Sequence, residues 1–286
     1  APCNVLAMLE KLGKKTAFIG KVGNDMFGTQ LKNAVEEVGI DTRNLVIDNE
    51  VHTTLAFVHT YPDGDRDFSF YRNPGADMML TKDEIQEDLI RDSRIFHFGT
   101  LSSTHEGVRE ATRYAIDVAK EAGCIISFDP NLRPQLWPDQ AQLKAAVTEF
   151  LPYTDILKLS DEELFFVTGK EHIEDAVEEL FAMGISVILY TKGSQGAEVY
   201  TRTAHVAVSG TGKKAVDTTG AGDGFIGSFL NQLAYEGRTL DDMKKMTDKE
   251  WESYLIFSNR YCGESIQKKG ALSSYLTRQE MEMLFG

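Results

Sequence analysis

The chain has 286 residues, 42% hydrophobic and 26% charged, which suits a folded core of one large domain or two ordinary ones. A net charge of −14 and a pI near 4.9 argue against nucleic acid as a partner, and no apolar run reaches the length of a membrane span. Its three cysteines and six histidines are scattered, outside any zinc spacing, so reduced thiols in a cytoplasmic protein are expected.

From its first residue the sequence reads as a helix: Pro2 lies in the first turn, Val5, Leu6, Met8, Leu9 and Leu12 are apolar, and Gly13 is a stop. Thr16–Ile19 reads as a short strand leading to Gly20, Gly23 and Gly28, and a helix follows from about Thr29 to Gly39. Thr53–Tyr61 and Asp67–Arg72 alternate and are rich in β-branched and aromatic residues. The Pro62–Asp65 turn joins them, predicting a hairpin that is either a projecting small sheet or a plain edge of the main one.

Beyond Leu80, strands and helices alternate. Ile95–Phe98, Cys124–Phe128, Ile156–Leu159 and Val187–Tyr190 are short apolar strands, and Thr104–Ala122 is a helix closed by Gly123. The pattern predicts an α/β fold with a mainly parallel sheet covered on both faces. Ligands in such sheets sit beyond the carboxyl ends of the strands, where the polar clusters after Phe98, Phe128, Leu159 and Tyr190 fall.

The strongest chemical signal is Asp217-Thr218-Thr219-Gly220-Ala221-Gly222-Asp223-Gly224-Phe225, opening into an apolar run. Glycines let backbone approach a ligand closely, and the first N–H groups of a helix are unpartnered and positively polarised. That combination binds anions. A carboxylate beside an anion hole, Asp223, suits a general base better than an anion ligand, although an Asp at a helix start is also an ordinary cap.

This segment resembles the C-terminal signature of the PfkB (ribokinase-like) carbohydrate kinases. Ala1-Pro2-Cys3-Asn4, Gly13, Gly23-Asn24-Asp25 and Phe27-Gly28 resemble the N-terminal one. The resemblance spans essentially the whole chain. It implies a ribokinase-like three-layer core from 1–42 and 77–286, with 43–76 as a small β lid. It also implies that relatives enter the first helix from a strand carrying a sugar-binding Asp. This sequence offers no residue to match that Asp, so a first segment is expected to be missing. A non-catalytic sugar- or nucleotide-binding relative is the alternative that this motivates.

Residue roles follow from the same resemblance. Asp223 is the base, with Gly220, Ala221 and Gly222 as the anion hole. Asn4 binds sugar hydroxyls, with helix capping as its other reading. In the lid exit Phe70–Asp77, Arg72 either reaches the sugar or forms a lid ion pair. The stretch Phe128–Trp137 resembles fructokinases and 2-keto-3-deoxygluconate kinases. Within it Arg133, after Asp129 and Asn131, either neutralises the transferred phosphoryl group or makes a surface ion pair. Lys158, Ser160, Thr191, Gly193, Gly196, Gly222 and Asn259 fall on the nucleotide side. There Thr191–Gly196 serves equally well as a tight turn between strands. Glu163 acts on Mg²⁺ through water, or closes a capping box with Ser160, or both. Asp217, Thr219 and the Lys269-Gly270-Ala271 turn resemble a monovalent-cation site, implying K⁺.

The implied activity is transfer of the ATP γ-phosphoryl group to the 6-hydroxyl of D-fructose. The alternative acceptor is 2-keto-3-deoxygluconate, and homodimers pairing through the lid are expected.

Overall fold

The computed structural model describes residues 1–60 and 66–285. The first helix, α1 (Pro2–Lys11), ends at Gly13, whose φ of 80° suits only a glycine comfortably. The expected strand at Thr16–Ile19 is displaced. Only Ala17 bridges Asp41 there, and the ladder proper is β1 (Gly20–Gly23), parallel to β2 (Leu45–Asp48). The sequence misleads here because Lys21 looks like a surface residue. Its ammonium is in fact buried between Asp48 (3.2 Å) and Glu84 (2.8 Å), which ties the strand pair to the segment after the hairpin.

Helix α2 (Met26–Val38) starts earlier than Thr29, because the Asp25 carboxylate caps it by accepting the Gly28 N–H at 2.8 Å. Gly28 is forced by packing: a Cβ there would lie 2.0 Å from the Gly23 carbonyl oxygen. Strands β3 (Leu55–Thr60) and β4 (Arg66–Tyr71) form an antiparallel pair of their own, so the hairpin is not an edge of the main sheet. The Pro62–Asp65 turn lies outside the described residues. β2, within the 43–76 segment, pairs with β1 from the 1–42 segment, so the two-stranded antiparallel unit is narrower than that span.

The remainder is a layered α/β core. Along the chain come α3 (Glu87–Arg91), β5 (Ile95–Phe98), α4 (Glu106–Glu121), β6 (Ile125–Phe128) and α5 (Gln140–Phe150). They are followed by β7 (Ile156–Ser160), α6 (Asp161–Thr168), α7 (Val177–Ala182), β8 (Val187–Thr191), β9 (Gly196–Tyr200) and β10 (His205–Ser209). The chain closes with α8 (Ala221–Glu236), α9 (Leu240–Met243), α10 (Asp248–Ser265) and α11 (Arg278–Phe285). The six strands run in the order β10-β9-β8-β7-β6-β5, parallel from β5 to β8 and antiparallel across β8-β9-β10.

Two apolar layers sandwich this sheet. On one face Phe128, Leu157 and Ile188 pack with Ile116, Val147, Phe150 and Leu180 of α4, α5 and α7. On the other, Ile156, Leu189 and Val199 meet Val5, Phe229, Trp251 and Leu255 of α1, α8 and α10. Burial on both faces explains why the central strands read as continuous apolar runs. It also brings α1 and α8, from opposite ends of the chain, onto one face. They approach closely at Gly227, where a Cβ would lie 2.4 Å from the Met8 methyl.

Candidate active site

Helix α8 begins at Gly220, which has φ 76° and no side chain to cap the turn. The N–H of Ala221 donates to the Thr218 carbonyl at 3.1 Å. Among the described residues, no acceptor takes the N–H of Gly220, Gly222 or Asp223. The helix therefore presents free donors and its positive end at the mouth of the loop.

Asp223 sits in the first turn with only 5% of its surface exposed. Asn4 Nδ2 donates to one carboxylate oxygen at 2.7 Å, and Asn131 Nδ2 approaches the other at 3.3 Å. The carboxylate is thus aimed by two amides, one from α1 and one from the loop after β6. Asn4 is brought there by the tight α1–α8 contact and does not cap its helix, whose N-cap is Ala1. Asn131 adopts φ 46°, a left-handed conformation that Asn tolerates better than most residues. Its role was missed in the sequence. An Asn in the short polar loop just after β6, following Asp129-Pro130, was the available signal.

A buried lysine stands beside this pair. Lys158, on β7 and 6% exposed, places Nζ 3.3 Å from Asp129 and 3.7 Å from Glu163. A Cβ on Gly222 would lie 3.3 Å from the same ammonium, so Lys158 abuts the first turn of α8 directly. Burial disfavours its charge, yet Asp129 and then Glu163 outweigh burial and hold it protonated above the ordinary lysine range. Burial pushes the Asp129 carboxyl up to about 7 against the pull of Lys158. One Asp129 oxygen, Oδ2, has no hydrogen-bond partner among the described residues.

Ser160 and Glu163 form the full capping box of α6. The Ser160 N–H (3.0 Å) and hydroxyl (3.1 Å) both donate to one Glu163 oxygen, and the Leu132 N–H donates to the other at 3.1 Å. With both oxygens engaged and the side chain buried, Glu163 is suited to a metal only through intervening water. Among the described residues, no three His, Cys, Asp or Glu side chains converge as a metal site.

Thr191 ends β8, its hydroxyl donating weakly to the Leu159 carbonyl at 3.4 Å. The turn through Gly193 and Gly196 joins β8 to antiparallel β9, so it has the hairpin geometry the sequence also allowed. Arg133 is exposed, its guanidinium donating only to the Leu132 carbonyl at 2.7 Å, with no carboxylate partner among the described residues. Arg72 pairs with Asp77 at 2.5 Å and donates to the Leu101 carbonyl at 3.2 Å.

Asn259, on α10, donates through Nδ2 to the Val208 and Ser209 carbonyls, tying that helix to β10. Asp217 folds its loop against the C-terminal segment. One oxygen accepts the Thr219 N–H (2.9 Å) and hydroxyl (2.7 Å), and the other accepts the Gly270 N–H at 2.9 Å.

The assembled features are unpartnered N–H donors at a helix start, an aimed carboxylate and a buried ammonium on the neighbouring strand β7. Known proteins resemble this chain in sequence and fold. Residues 1–278 match the model of the pfkB family carbohydrate kinases. Fructokinase-1 of Zea mays is 39% identical over 285 residues, covering 99% of this chain and 87% of its own. The crystal structure of fructokinase with bound ATP from Xylella fastidiosa superposes with a TM-score of 0.90 at 30% identity, covering 99% of this chain and 88% of that one. Fructokinase from Vibrio cholerae O395, solved in a fructose, ADP and calcium ion bound form, gives a TM-score of 0.87 at 29% identity, covering 100% and 90%. On the family match, on the identity to the maize protein and on the fold, this chain belongs to the pfkB family of carbohydrate kinases.

Proposed function

We propose that the protein is an ATP-dependent fructokinase that transfers the γ-phosphoryl group of ATP to the 6-hydroxyl of D-fructose. The observation that carries this reading is the Asp223 carboxylate, buried at the N terminus of α8 and oriented by Asn4 and Asn131. A hydroxyl placed against it gives up its proton as it attacks phosphorus in line. The N–H groups of Gly220, Gly222 and Asp223 receive the charge on the transferring oxygens, and that of Ala221 joins them by leaving the Thr218 carbonyl. Lys158 supplies a positive charge that burial keeps from being screened. The exposed guanidinium of Arg133 is free to swing to the γ-phosphoryl group.

On the nucleotide side we place Ser160, Thr191, Gly193, Gly196 and Asn259, and Asn4 and Arg72 on the sugar side. Glu163 would hold Mg²⁺ through water, and the ion when bound neutralises charge on the ATP phosphates. The lid, read as 43–76 with β3–β4 at its centre, closes over the sugar and keeps water from the phosphorus. Phe57 and Val58 on β3 and Tyr71 on β4 are exposed, which supports pairing of two copies through the lid. No helix among the described residues is long and apolar enough to cross a membrane, and the free cysteines support a cytoplasmic setting.

The test is ATP-dependent phosphorylation of D-fructose by the complete polypeptide, with 2-keto-3-deoxygluconate and ribose in parallel. A clear preference for fructose is expected. Preference for another sugar replaces the acceptor, and silence on all three from a folded, ATP-binding protein points to a different acceptor first and then to the non-catalytic reading. The Asp217–Gly270 tie, formed beside Thr219, supports a K⁺ requirement. Replacing KCl by choline chloride at constant ionic strength should therefore lower the rate. Equal rates in the two salts would dismiss the cation.

A further inference from the structure

Tyr275 is buried to 1% exposure beneath the first turn of α8, far from it in sequence. Its hydroxyl donates to the Gly220 carbonyl at 2.8 Å. The fit around this bond leaves no slack. A Cβ on Gly220 would lie 2.6 Å from that hydroxyl, and one on Gly224 would lie 3.2 Å from the Tyr275 ring. Burial, then the nearby Asp223 charge, raises the phenol above its ordinary range, so it remains a donor.

Tyr275 is itself anchored from the other side. Lys11 of α1 donates to the carbonyls of Leu272 (2.5 Å) and Tyr275 (3.0 Å). The same helix carries Asn4, which aims Asp223. One helix thus references both the base and the backbone that forms the anion hole.

The Gly220 carbonyl belongs to the peptide that continues into Ala221. Glycine at 220 imposes little resistance to rotation of that plane. A rotated plane would turn a carbonyl oxygen, an acceptor, toward the place where phosphoryl oxygens must bind. The Gly224 N–H also holds this carbonyl at 2.8 Å, as any helix would. Tyr275 adds the single side-chain bond to it among the described residues.

We propose that Tyr275 is a positioning residue of the anion hole, locking the Gly220–Ala221 peptide through its hydroxyl so that α8 offers only donors to the transferred group. The inference rests on the kinase reading for the identity of that group, and its test is arranged to separate the two. Tyr275→Phe keeps the ring and removes only the bond.

In the sugar kinase assay the variant should lose about tenfold in kcat, the scale of a slightly misplaced catalytic element, with KM for ATP and fructose unchanged. In a second measurement, ADP binding in the presence of fructose is titrated with and without fluoroaluminate, a planar phosphoryl mimic. The tightening produced by fluoroaluminate should be weaker in the variant, while ADP alone binds as in the wild type. Wild-type kcat, or a loss in which kcat, both KM values and the melting temperature all worsen together, would overturn the proposal. If the wild type phosphorylates none of the sugars, the fluoroaluminate difference still decides the lock. Should Tyr275→Phe not fold, Lys11→Met loosens the same segment and is expected to give the same signature. Its absence would equally refute the lock.

Discussion

Asp223→Asn should fold like the wild type and lose about 10²- to 10⁴-fold in kcat, the usual contribution of a positioned base. Structure is preserved because the substitution keeps the shape of the side chain and one acceptor. Asn4, at 2.7 Å, retains its acceptor, while the new amide faces Asn131, whose 3.3 Å contact is the weaker of the two. The lost carboxylate charge at the start of α8 costs about 0.3–1 kcal/mol through the helix dipole, small beside the catalytic effect. Steady-state kinetics with a melting curve checks both halves. A folded variant turning over near the wild-type rate would show that Asp223 is not the base.

Lys158→Met is expected to damage both catalysis and stability. Removing a preorganised charge next to the transferring group lowers kcat by about 10²- to 10³-fold, by analogy with lost oxyanion donors. Taking the cation from a buried cluster leaves Asp129 and Glu163 facing each other without compensation, which costs about 3–5 kcal/mol.

The pH dependence of that loss has a definite sign. In the wild type, burial sets Asp129 at about 7, with Lys158 opposing. Without Lys158 its carboxyl rises further, so the folded variant keeps a proton that the unfolded chain releases near pH ~4. Stability from this group is then greatest at low pH and falls as pH rises, in the variant continuing past the wild-type value. The melting-temperature gap between the two proteins should therefore be wider at pH 8.5 than at pH 5.5. A gap independent of pH would mean that Asp129 does not take up the charge left by Lys158. A wild-type kcat would remove Lys158 from the chemistry altogether.

Much of this molecule can be read along the chain. The apolar runs at 95–98, 125–128, 156–159 and 187–190 form strands of one sheet, because short β-rich runs separated by helices have few other ways to bury both faces. The Gly220-Ala221-Gly222-Asp223 run marks a helix start and an acid in its first turn, since caps and turns are set by neighbouring residues. The less legible parts are those where one side chain takes a partner from afar. Lys21 disguised β1 because its charge is neutralised by Asp48 and Glu84. Arg72 carries two equally good readings in the sequence, and only the fold brings Asp77 and the Leu101 carbonyl to it.

The sequence by itself determined the α/β class, the family signatures at both ends and the identity of the acid at the head of α8. Each of these is written in residues adjacent in the chain or in a periodic burial pattern. Only the tertiary structure decided what surrounds that acid. Asn4 and Asn131 reach Asp223 across 219 and 92 residues, Lys158 meets Asp129 across 29, and Tyr275 reaches Gly220 across 55. Those pairings depend on strand register and on how closely α1 and α8 approach at Gly227, and no local propensity encodes either.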